Sequence, residues 1–212
     1  MKIIRNGRTL KPLYIKDGIP KELRSLKNRK SPGPDGIFNE MLRYGGTELT
    51  LHLTQVFQQI FKLCTIPKAW KQSTIIPLFK KGSKTNPDNY RGITLLNTTL
   101  KLFTKVILRK LLQYMQPREE QQGFRKNRST TDIIFMVRQI AEKSIELNHT
   151  AFICFVFHTK AFDRVKLADV IECLREREVP EQIVKVIKEL NTDTTARIRT
   201  NNQTSRPIII KN

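Results

Sequence analysis

The amino-acid sequence predicts an α+β fold in which a small antiparallel sheet lies among several amphipathic helices. Three observations predict it. Helical and strand patterns follow one another without a regular βαβ order, two hairpin patterns lie far apart, and no repeat or low-complexity segment interrupts them. With 212 residues, of which 39% are hydrophobic, the chain is long enough for one domain, or for one domain and a subdomain, with a real core.

The charge of the chain is strongly positive and is spread along its length. There are 39 Lys and Arg against 19 Asp and Glu, a formal net charge of +20. A globular protein this basic is expected to bind a polyanion, with nucleic acid as the first candidate. The alternative is a surface that is merely basic. The three cysteines form no CxxC pair, which argues against a zinc site or a disulfide framework. No apolar run predicts a membrane span, and we expect an intracellular location, nucleus or cytoplasm.

The first part of the chain predicts three helices and a shaped turn. A short helix begins near Ile19, with Pro20 in its first turn and Leu23 and Leu26 on its apolar side. Residues 31–36 hold two prolines and two glycines and predict a rigid turn. Helical spacing follows over residues 38–44 and 49–64, and Trp70, the only tryptophan, is interpreted as a core anchor.

A hairpin with a basic tip comes next. Residues 73–79 predict a strand in which Pro77 indicates an edge or a bulge. Residues 80–84 form the basic turn, and residues 90–96 return as the second strand. Residues 100–115 then predict an amphipathic helix with a cationic side.

The second half begins with a basic loop over residues 121–132 and a helix that runs to about Leu147, with Ser129 or Thr130 as its N-cap. The seven apolar residues 151–157 predict a buried central strand that ends in a polar bend. Two helices over residues 167–177 and 180–190 and a hairpin over residues 195–200 and 206–210 complete the pattern. The inward face of the helix after the basic loop is predicted to hold Ile133, Val137, Ile140, Ala141 and Ser144.

Five motifs in one order carry a resemblance to a known family. They read SPGPDG at 31–36, IPLFKKG at 76–82, NYRGITLL at 89–96, QGFR at 122–125 with RST at 128–130, and KAFD at 160–163. From about residue 20 onward the chain resembles the reverse transcriptases of non-LTR retrotransposons, LINE-type and jockey-like. The resemblance implies the fingers and a partial palm of a right-hand polymerase. It divides the chain into an extension (1–20), a fingers-like region with the start of the palm (21–150) and a partial palm (151–212).

The resemblance also implies an activity and a set of binding residues. The activity is RNA-directed DNA synthesis from deoxynucleotides on an RNA or DNA template-primer, with Mg²⁺ as cofactor. The expected binding site has three parts: cations over the triphosphate, an aromatic ring under the sugar, and a basic loop on the template side. The matching residues are Lys80, Lys81 and Arg91 for the triphosphate, Phe162 for the sugar, and Arg125, Lys126 and Arg128 for the template. Alternatively, the lysines only solvate the hairpin tip, Arg91 pairs with Asp88, Phe162 belongs to the core and the loop is ordinary surface.

One position departs from the family pattern. Where the family has an aspartate, five residues and a second aspartate, Asp163 is the second and Phe157 takes the place of the first. No acidic residue lies between Glu146 and Asp163, and we expect Asp163 not to reach a metal ion. The family's Asp-Asp hairpin is not found before Asn212.

These departures predict that the chain is a truncated, catalytically inactive remnant of a reverse transcriptase and binds no metal. We also expect the sheet edge at residues 208–210 to promote aggregation. The alternative hypothesis is a basic nucleic-acid-binding protein without catalytic activity that derives from the same ancestor. A third possibility is a piece of a longer polymerase.

Overall fold

A computed structural model describes residues 3–5, 8–10, 18–159, 161–200 and 203–210. Lys160 of the KAFD motif, and Asn201 and Asn202 at the turn of the last predicted hairpin, lie outside the described residues. The chain divides into two compact units, one formed by Met1–Tyr114 with Val165–Asn212 and the other by Met115–Arg164. Each unit is described by itself.

The described residues confirm the α+β class. The helices are α1 (Ile19–Arg24), α2 (Asn39–Arg43), α3 (Gly46–Leu63), α4 (Thr98–Leu111), α5 (Thr130–Glu146), α6 (Leu167–Glu176) and α7 (Glu181–Leu190). The strands are β1 (Ile3–Arg5), β2 (Arg8–Leu10), β3 (Gln72–Phe79), β4 (Tyr90–Leu95), β5 (Thr195–Ile198) and β6 (Ile208–Ile209). Single 3₁₀ turns lie at Lys68–Lys71, Pro87–Asn89 and Phe162–Arg164. No helix among the described residues is both long and apolar enough to cross a membrane.

The core of the first unit forms where the apolar faces of α3 and α4 meet. Phe57 and Phe103 are fully buried, and their ring centroids lie 5.0 Å apart. Trp70, predicted as a core anchor, packs against Phe103 at 5.6 Å, but it is only half-buried and lies at the margin of the core. Helix α7 adds the buried Ile183, and Gln182 donates a hydrogen bond of 2.6 Å to the carbonyl of Phe61.

The sheet that holds the basic hairpin has the strand order β4-β3-β5-β6. Strands β3 and β4 pair antiparallel, from Thr74 opposite Leu95 to Phe79 opposite Tyr90, as the sequence predicts. Strands β5 and β6 also pair antiparallel, so the last hairpin is confirmed. A further pair, β1 with β2, forms a separate sheet.

The prediction of a purely antiparallel sheet is wrong at one junction, because β3 and β5 are parallel from Gln72 opposite Thr195 to Ile75 opposite Ile198. The two strands are separated by more than one hundred residues, and such a long crossover allows parallel pairing, whereas a short turn does not. The described pairing with β5 ends at Ile75 opposite Ile198, so Pro77 lies beyond the residues of β3 that pair with β5. Strand β3 is an inner strand of the sheet, so the prediction of an edge at Pro77 is wrong, although the proline lies outside the four residues that pair with β5.

The predicted central strand is wrong. Residues 151–157 form no strand and no helix, and all seven side chains are exposed, including Phe152 at 94% and Phe157 at 89%. The apolar pattern of this segment predicts burial. An extended segment becomes a buried strand only when neighbouring strands pair with its backbone, and no strand of either sheet pairs with it.

The prediction of an inward face on α5 is also wrong, because no residue of that helix is buried. In the described part of the second unit, α5 and a single 3₁₀ turn are the regular elements, and Gln122 is the one buried residue. A helix buries an apolar stripe only against a second layer, which this unit does not supply. The N-terminus of α5 is as predicted: the backbone N–H of Ser129 donates to the Asp132 carboxylate at 2.6 Å.

Candidate nucleic-acid and nucleotide interface

The tip of the β3–β4 hairpin is a firmly hydrogen-bonded basic turn. The N–H of Lys80 donates to the carbonyl of Asn89 at 2.8 Å, and the Asn89 side-chain amide donates to the carbonyl of Ser83 at 2.9 Å. Gly82 has a φ of +92°, and a Cβ there would lie 2.6 Å from the Asn89 amide nitrogen. The turn therefore requires glycine, and it holds Lys80 and Lys81 exposed to solvent.

Arg91 lies on the second strand of the same hairpin. It is opposite Leu78 in the ladder, so the two side chains share one face of the sheet, and Arg91 is exposed. Phe79 and Tyr90 share the other face, where their ring centroids are 5.4 Å apart. The hairpin thus brings together the three cations that the resemblance assigns to the triphosphate, and a cross-strand aromatic pair stiffens it.

The basic loop of the second unit is organised by a carboxylate that the sequence prediction missed. Glu119 accepts hydrogen bonds from Arg125 at 2.9 Å and from Arg128 at 2.8 Å, one on each carboxylate oxygen. Arg125 also donates to the carbonyl of Arg118 at 2.9 Å, and its side chain is only 18% exposed. Glu120 stands beside Glu119 in the sequence, and no local signal tells which of the two meets the arginines.

The three cations of this loop differ in whether they are paired with a carboxylate. The hydrogen bond from Arg125, followed by the charges of Arg125 and Arg128, holds the pKa of Glu119 below its ordinary value. Lys126 is exposed and has no ion pair among the described residues. A phosphate that contacts Arg125 or Arg128 competes with Glu119, whereas Lys126 is open to an anion.

Phe162 lies in the 3₁₀ turn Phe162–Arg164 and is 76% exposed, so it is not a core residue. Its ring meets that of Phe124 edge to face, with centroids 5.8 Å apart and an angle of 89° between the planes. Phe124 is 94% exposed. The sequence prediction included Phe124 in a motif but gave it no role. Its place between Gly123 and Arg125, in a basic loop, was the available signal.

Comparison with known proteins identifies the family to which this chain belongs. The family described as "Reverse transcriptase (RNA-dependent DNA polymerase)" matches residues 79–211, more than half of the chain. The chain belongs to the reverse transcriptase family. The matched range includes β4, the basic loop together with Glu119, and the Phe162–Arg164 turn.

Similar proteins come from mobile elements of flies. The chain is 27% identical to "Probable RNA-directed DNA polymerase from transposon BS" of Drosophila melanogaster, over 95% of this chain and 23% of that protein. It is 32% identical to "RNA-directed DNA polymerase from mobile element jockey" of Drosophila funebris, over 68% of this chain and 16% of that protein. The chain spans less than a quarter of these relatives. The resemblance to reverse transcriptases of non-LTR retrotransposons is confirmed.

Reverse transcriptases use divalent metal ions and bind template-primer and deoxynucleotides. The side chains at the expected metal position do not fit such an ion. Phe157 has no donor atom, and Asp163 is exposed on the 3₁₀ turn, where it is the first acidic residue after Glu146. Within the described residues, no three His, Cys, Asp or Glu side chains form a group that could hold a metal. Hard divalent cations require oxygen ligands, and this segment offers one carboxylate.

Proposed function

We propose that this chain provides fingers (21–150) and part of the palm (151–212) of a non-LTR retrotransposon reverse transcriptase. In this proposal, the chain binds nucleic acid and nucleotide through its basic surfaces and does not catalyse DNA synthesis by itself. The expected lack of catalysis rests on Phe157. At the position of the family's first aspartate, this residue replaces an oxygen ligand by a hydrocarbon ring.

The β3–β4 hairpin supports the proposed binding of nucleotide. Arg91 offers a planar fork that matches two phosphate oxygens, while Lys80 and Lys81 act as mobile point charges. All three are exposed on one rigid hairpin, so an incoming triphosphate would meet them without a rearrangement of the backbone. Phe162 is exposed, and its proposed place under the sugar is compatible with that exposure.

The chemistry argues for the loss of activity. Two divalent ions stabilise the attacking 3′ oxygen and the leaving pyrophosphate, and carboxylates must hold these ions. With phenylalanine at position 157, this segment cannot compensate the ion charge, and Asp163 alone does not restore the ligand set. The chain therefore keeps groups that bind polyanions and lacks a group that the reaction needs.

A primer-extension assay with the purified chain, Mg²⁺ and deoxynucleotides tests this proposal. We expect no extension above the level of a reaction without protein. Asp163→Ala is the matched control, because extension that persists in this variant comes from a contaminating polymerase. Extension by the wild-type chain that Asp163→Ala abolishes would refute the proposal.

A binding protein without catalytic activity is the second candidate, and the charge of +20 favours it. Its defining property is affinity for RNA or DNA that falls steeply with salt, because phosphate contacts release counterions. Binding that is absent, or insensitive to salt, would contradict both candidates.

A further inference from the structure

Helix α6 carries a groove in a part of the chain whose charge is opposite to that of the whole. The groove has a volume of about 580 Å³, and Leu167, Ala168 and Ile171 line its apolar part. Residues 167–181 hold five acidic residues against two arginines, whereas the whole chain has a net charge of +20. A strongly basic molecule therefore contains an apolar groove in an acidic stretch.

The groove lies on a helix that is packed into the first unit. Ile171 and Leu174 of α6 are buried, and so are Ile183 and Val184 of α7. The N–H of Val179 donates to the carbonyl of Leu174 at 3.0 Å and closes the connection between the two helices. Because α6 already has a buried face, the opening of its groove to solvent differs from the general exposure of the second unit.

Two carboxylates of this α6 groove have no cationic partner among the described residues. Glu172 and Glu176 both line the groove, four residues apart on α6, and both are exposed. Like charges at this spacing destabilise a helix, and an acidic residue in the last turn also opposes the helix dipole. Glu176 is the last residue of α6. A cation bound between the two carboxylates would offset both costs.

The cations that line the α6 groove leave its acidic character in place. Arg175 is held by Glu181, whose two carboxylate oxygens accept hydrogen bonds from Nη2 at 2.8 Å and from Nε at 3.1 Å. Glu181 does not itself line the groove, so it neutralises this guanidinium from outside. Lys188 of α7 is the remaining cation of the lining, one ammonium against two carboxylates.

We propose that the α6 groove docks a short basic segment of a partner protein. A large apolar side chain of that segment contacts the apolar part of the groove, and a lysine or arginine of the same segment lies between Glu172 and Glu176. The two parts of the groove are roughly 7 Å apart along the axis of α6. The apolar anchor and the cation should therefore be about two residues apart in an extended segment, or about four in a helical one.

Charge complementarity favours this occupant over nucleic acid and over a second copy of the chain. Two carboxylates without a cationic partner repel a phosphate backbone. A second copy brings a net charge of +20, whereas a short segment meets mainly the charges within one Debye length, about 8 Å at physiological ionic strength. The inference is separate from the proposed function, because no residue of the groove is among those proposed to bind nucleotide or nucleic acid.

Fluorescence anisotropy of a labelled nine-residue peptide tests the docking site. The peptide has a central phenylalanine, arginines two and four residues away on each side, and alanines elsewhere, so it offers both spacings in both directions. We expect it to bind the wild-type chain saturably. A second peptide, in which alanine replaces the phenylalanine, should bind roughly 5- to 30-fold more weakly, because it lacks the apolar anchor.

Variants of the chain test the two parts of the groove. Glu172→Gln combined with Glu176→Gln removes the carboxylate charges and keeps the shape, and Ala168→Arg places a bulky cation at an exposed position of the lining. We expect each to weaken the binding of the first peptide by about 5-fold or more. Asp169→Asn combined with Glu178→Gln is the matched control, because it removes two exposed acidic side chains of the same stretch that do not line the groove.

The control variant is expected to bind the peptide like the wild type, and far-UV circular dichroism checks that every variant keeps its helices. Absence of saturable binding by the wild type, equal affinity for the two peptides, or an equal loss in the groove variants and the control would each overturn the docking site. These results would leave the proposed nucleic-acid binding standing. Weaker oligonucleotide binding by the groove variants would also overturn the docking site, because it would assign the groove to the nucleic-acid interface.

Discussion

The carboxylate of Glu119 determines which cations of the basic loop are available. It accepts one hydrogen bond from Arg125 and one from Arg128, and both donors are guanidinium groups with fixed geometry. Because the folded pKa of Glu119 is lowered, this pairing stabilises the loop above the ordinary glutamate pKa. The stabilisation is lost as the pH falls through the folded pKa.

The pKa of Glu119 should respond more to Arg125 than to Arg128. The hydrogen bond from Arg125 is the largest cause of the lowered pKa, and Arg128 contributes mainly through its charge. We expect Arg125→Met to move the pKa of Glu119 upward toward its ordinary value, and Arg128→Met to move it less. Carboxyl ¹³C titration by NMR measures both shifts. A larger shift in Arg128→Met would contradict the assigned hydrogen bond.

Gly33 is the point at which the SPGPDG turn touches the rest of the first unit. The N–H of Gly36 donates to the carbonyl of Gly33 at 3.1 Å, which closes the turn. A Cβ on Gly33 would lie 2.5 Å from the carbonyl oxygen of Leu96 and 2.6 Å from the nitrogen of Asn97. These are backbone atoms, so they cannot rotate away as the end of a side chain would.

Gly33→Ala should therefore destabilise the chain by roughly 1–3 kcal/mol, the usual cost of overpacking. Urea unfolding followed by the fluorescence of Trp70 measures the change. Gly123→Ala is the control, because nothing lies within 4 Å of the Cβ that it would add. Equal stability of the two variants would show that the turn does not pack on residues 96–97.

At the scale of elements, the aromatic contacts between α3 and α4 hold the first unit together. Phe103 on α4 contacts Phe57 and Phe61 on α3, and also Trp70 in the 3₁₀ turn before β3. One ring thus joins α4 to two earlier segments, α3 and the 3₁₀ turn that follows it closely in the sequence, and it is fully buried.

Phe103→Ala should cost about 3–5 kcal/mol, since it leaves a cavity among these rings. Phe135→Ala on α5 removes the same atoms from a ring that is exposed, and we expect a change within about 0.5 kcal/mol. Denaturant unfolding compares the two. A similar loss in both variants would mean that α5 is buried in solution and would contradict the described exposure.

The basic elements should differ in their contribution to phosphate binding. Lys126→Gln is expected to lower the slope of log K against log salt by about 0.7 for a single strand, which corresponds to one phosphate contact. Lys143→Gln on α5 removes a lysine that is paired with Glu146 and should leave the slope unchanged. The measurement is oligonucleotide binding over a range of salt concentrations. A slope that is unchanged in Lys126→Gln would remove this residue from the interface.

At the scale of the whole molecule, the described chain exposes apolar segments. Residues 152–157 and most apolar positions of α5 are exposed, and β6 is the last strand of its sheet. Ile208, Ile209 and Ile210 on and beside this edge are all exposed, as the sequence predicts. Edge strands with exposed isoleucines pair readily with other chains.

We expect the isolated chain to self-associate, and Ile209→Lys to increase the monomer fraction, because a charge on an edge strand opposes pairing. Sedimentation velocity at several protein concentrations measures the fraction. Ile145→Lys serves as a comparison, since it places a lysine on an equally open helix that offers no strand edge. A wild-type chain that is monomeric and melts cooperatively would contradict the expectation.

Local patterns were sufficient for the helices and for the hairpin. The spacing of Leu53, Phe57, Ile60 and Phe61 predicts α3, and the prolines and glycines of residues 31–36 predict the turn, because these preferences act over a few neighbouring residues. The motif order predicted the family, and the family match over residues 79–211 confirms it. Of the candidate site, the structure shows that the hairpin cations and Phe162 are exposed. The assigned roles of these residues remain predictions.

The sequence by itself determined the family, the helices, the β3–β4 hairpin and the charge that favours a polyanionic partner. Only the tertiary structure decided the parallel pairing of β3 with β5, the exposure of residues 151–157, the choice of Glu119 as the partner of two arginines, and the meeting of Phe124 with Phe162. The physical reason is range. Helix spacing and turn chemistry are local, whereas burial, strand pairing and ring contacts depend on which distant segment lies alongside.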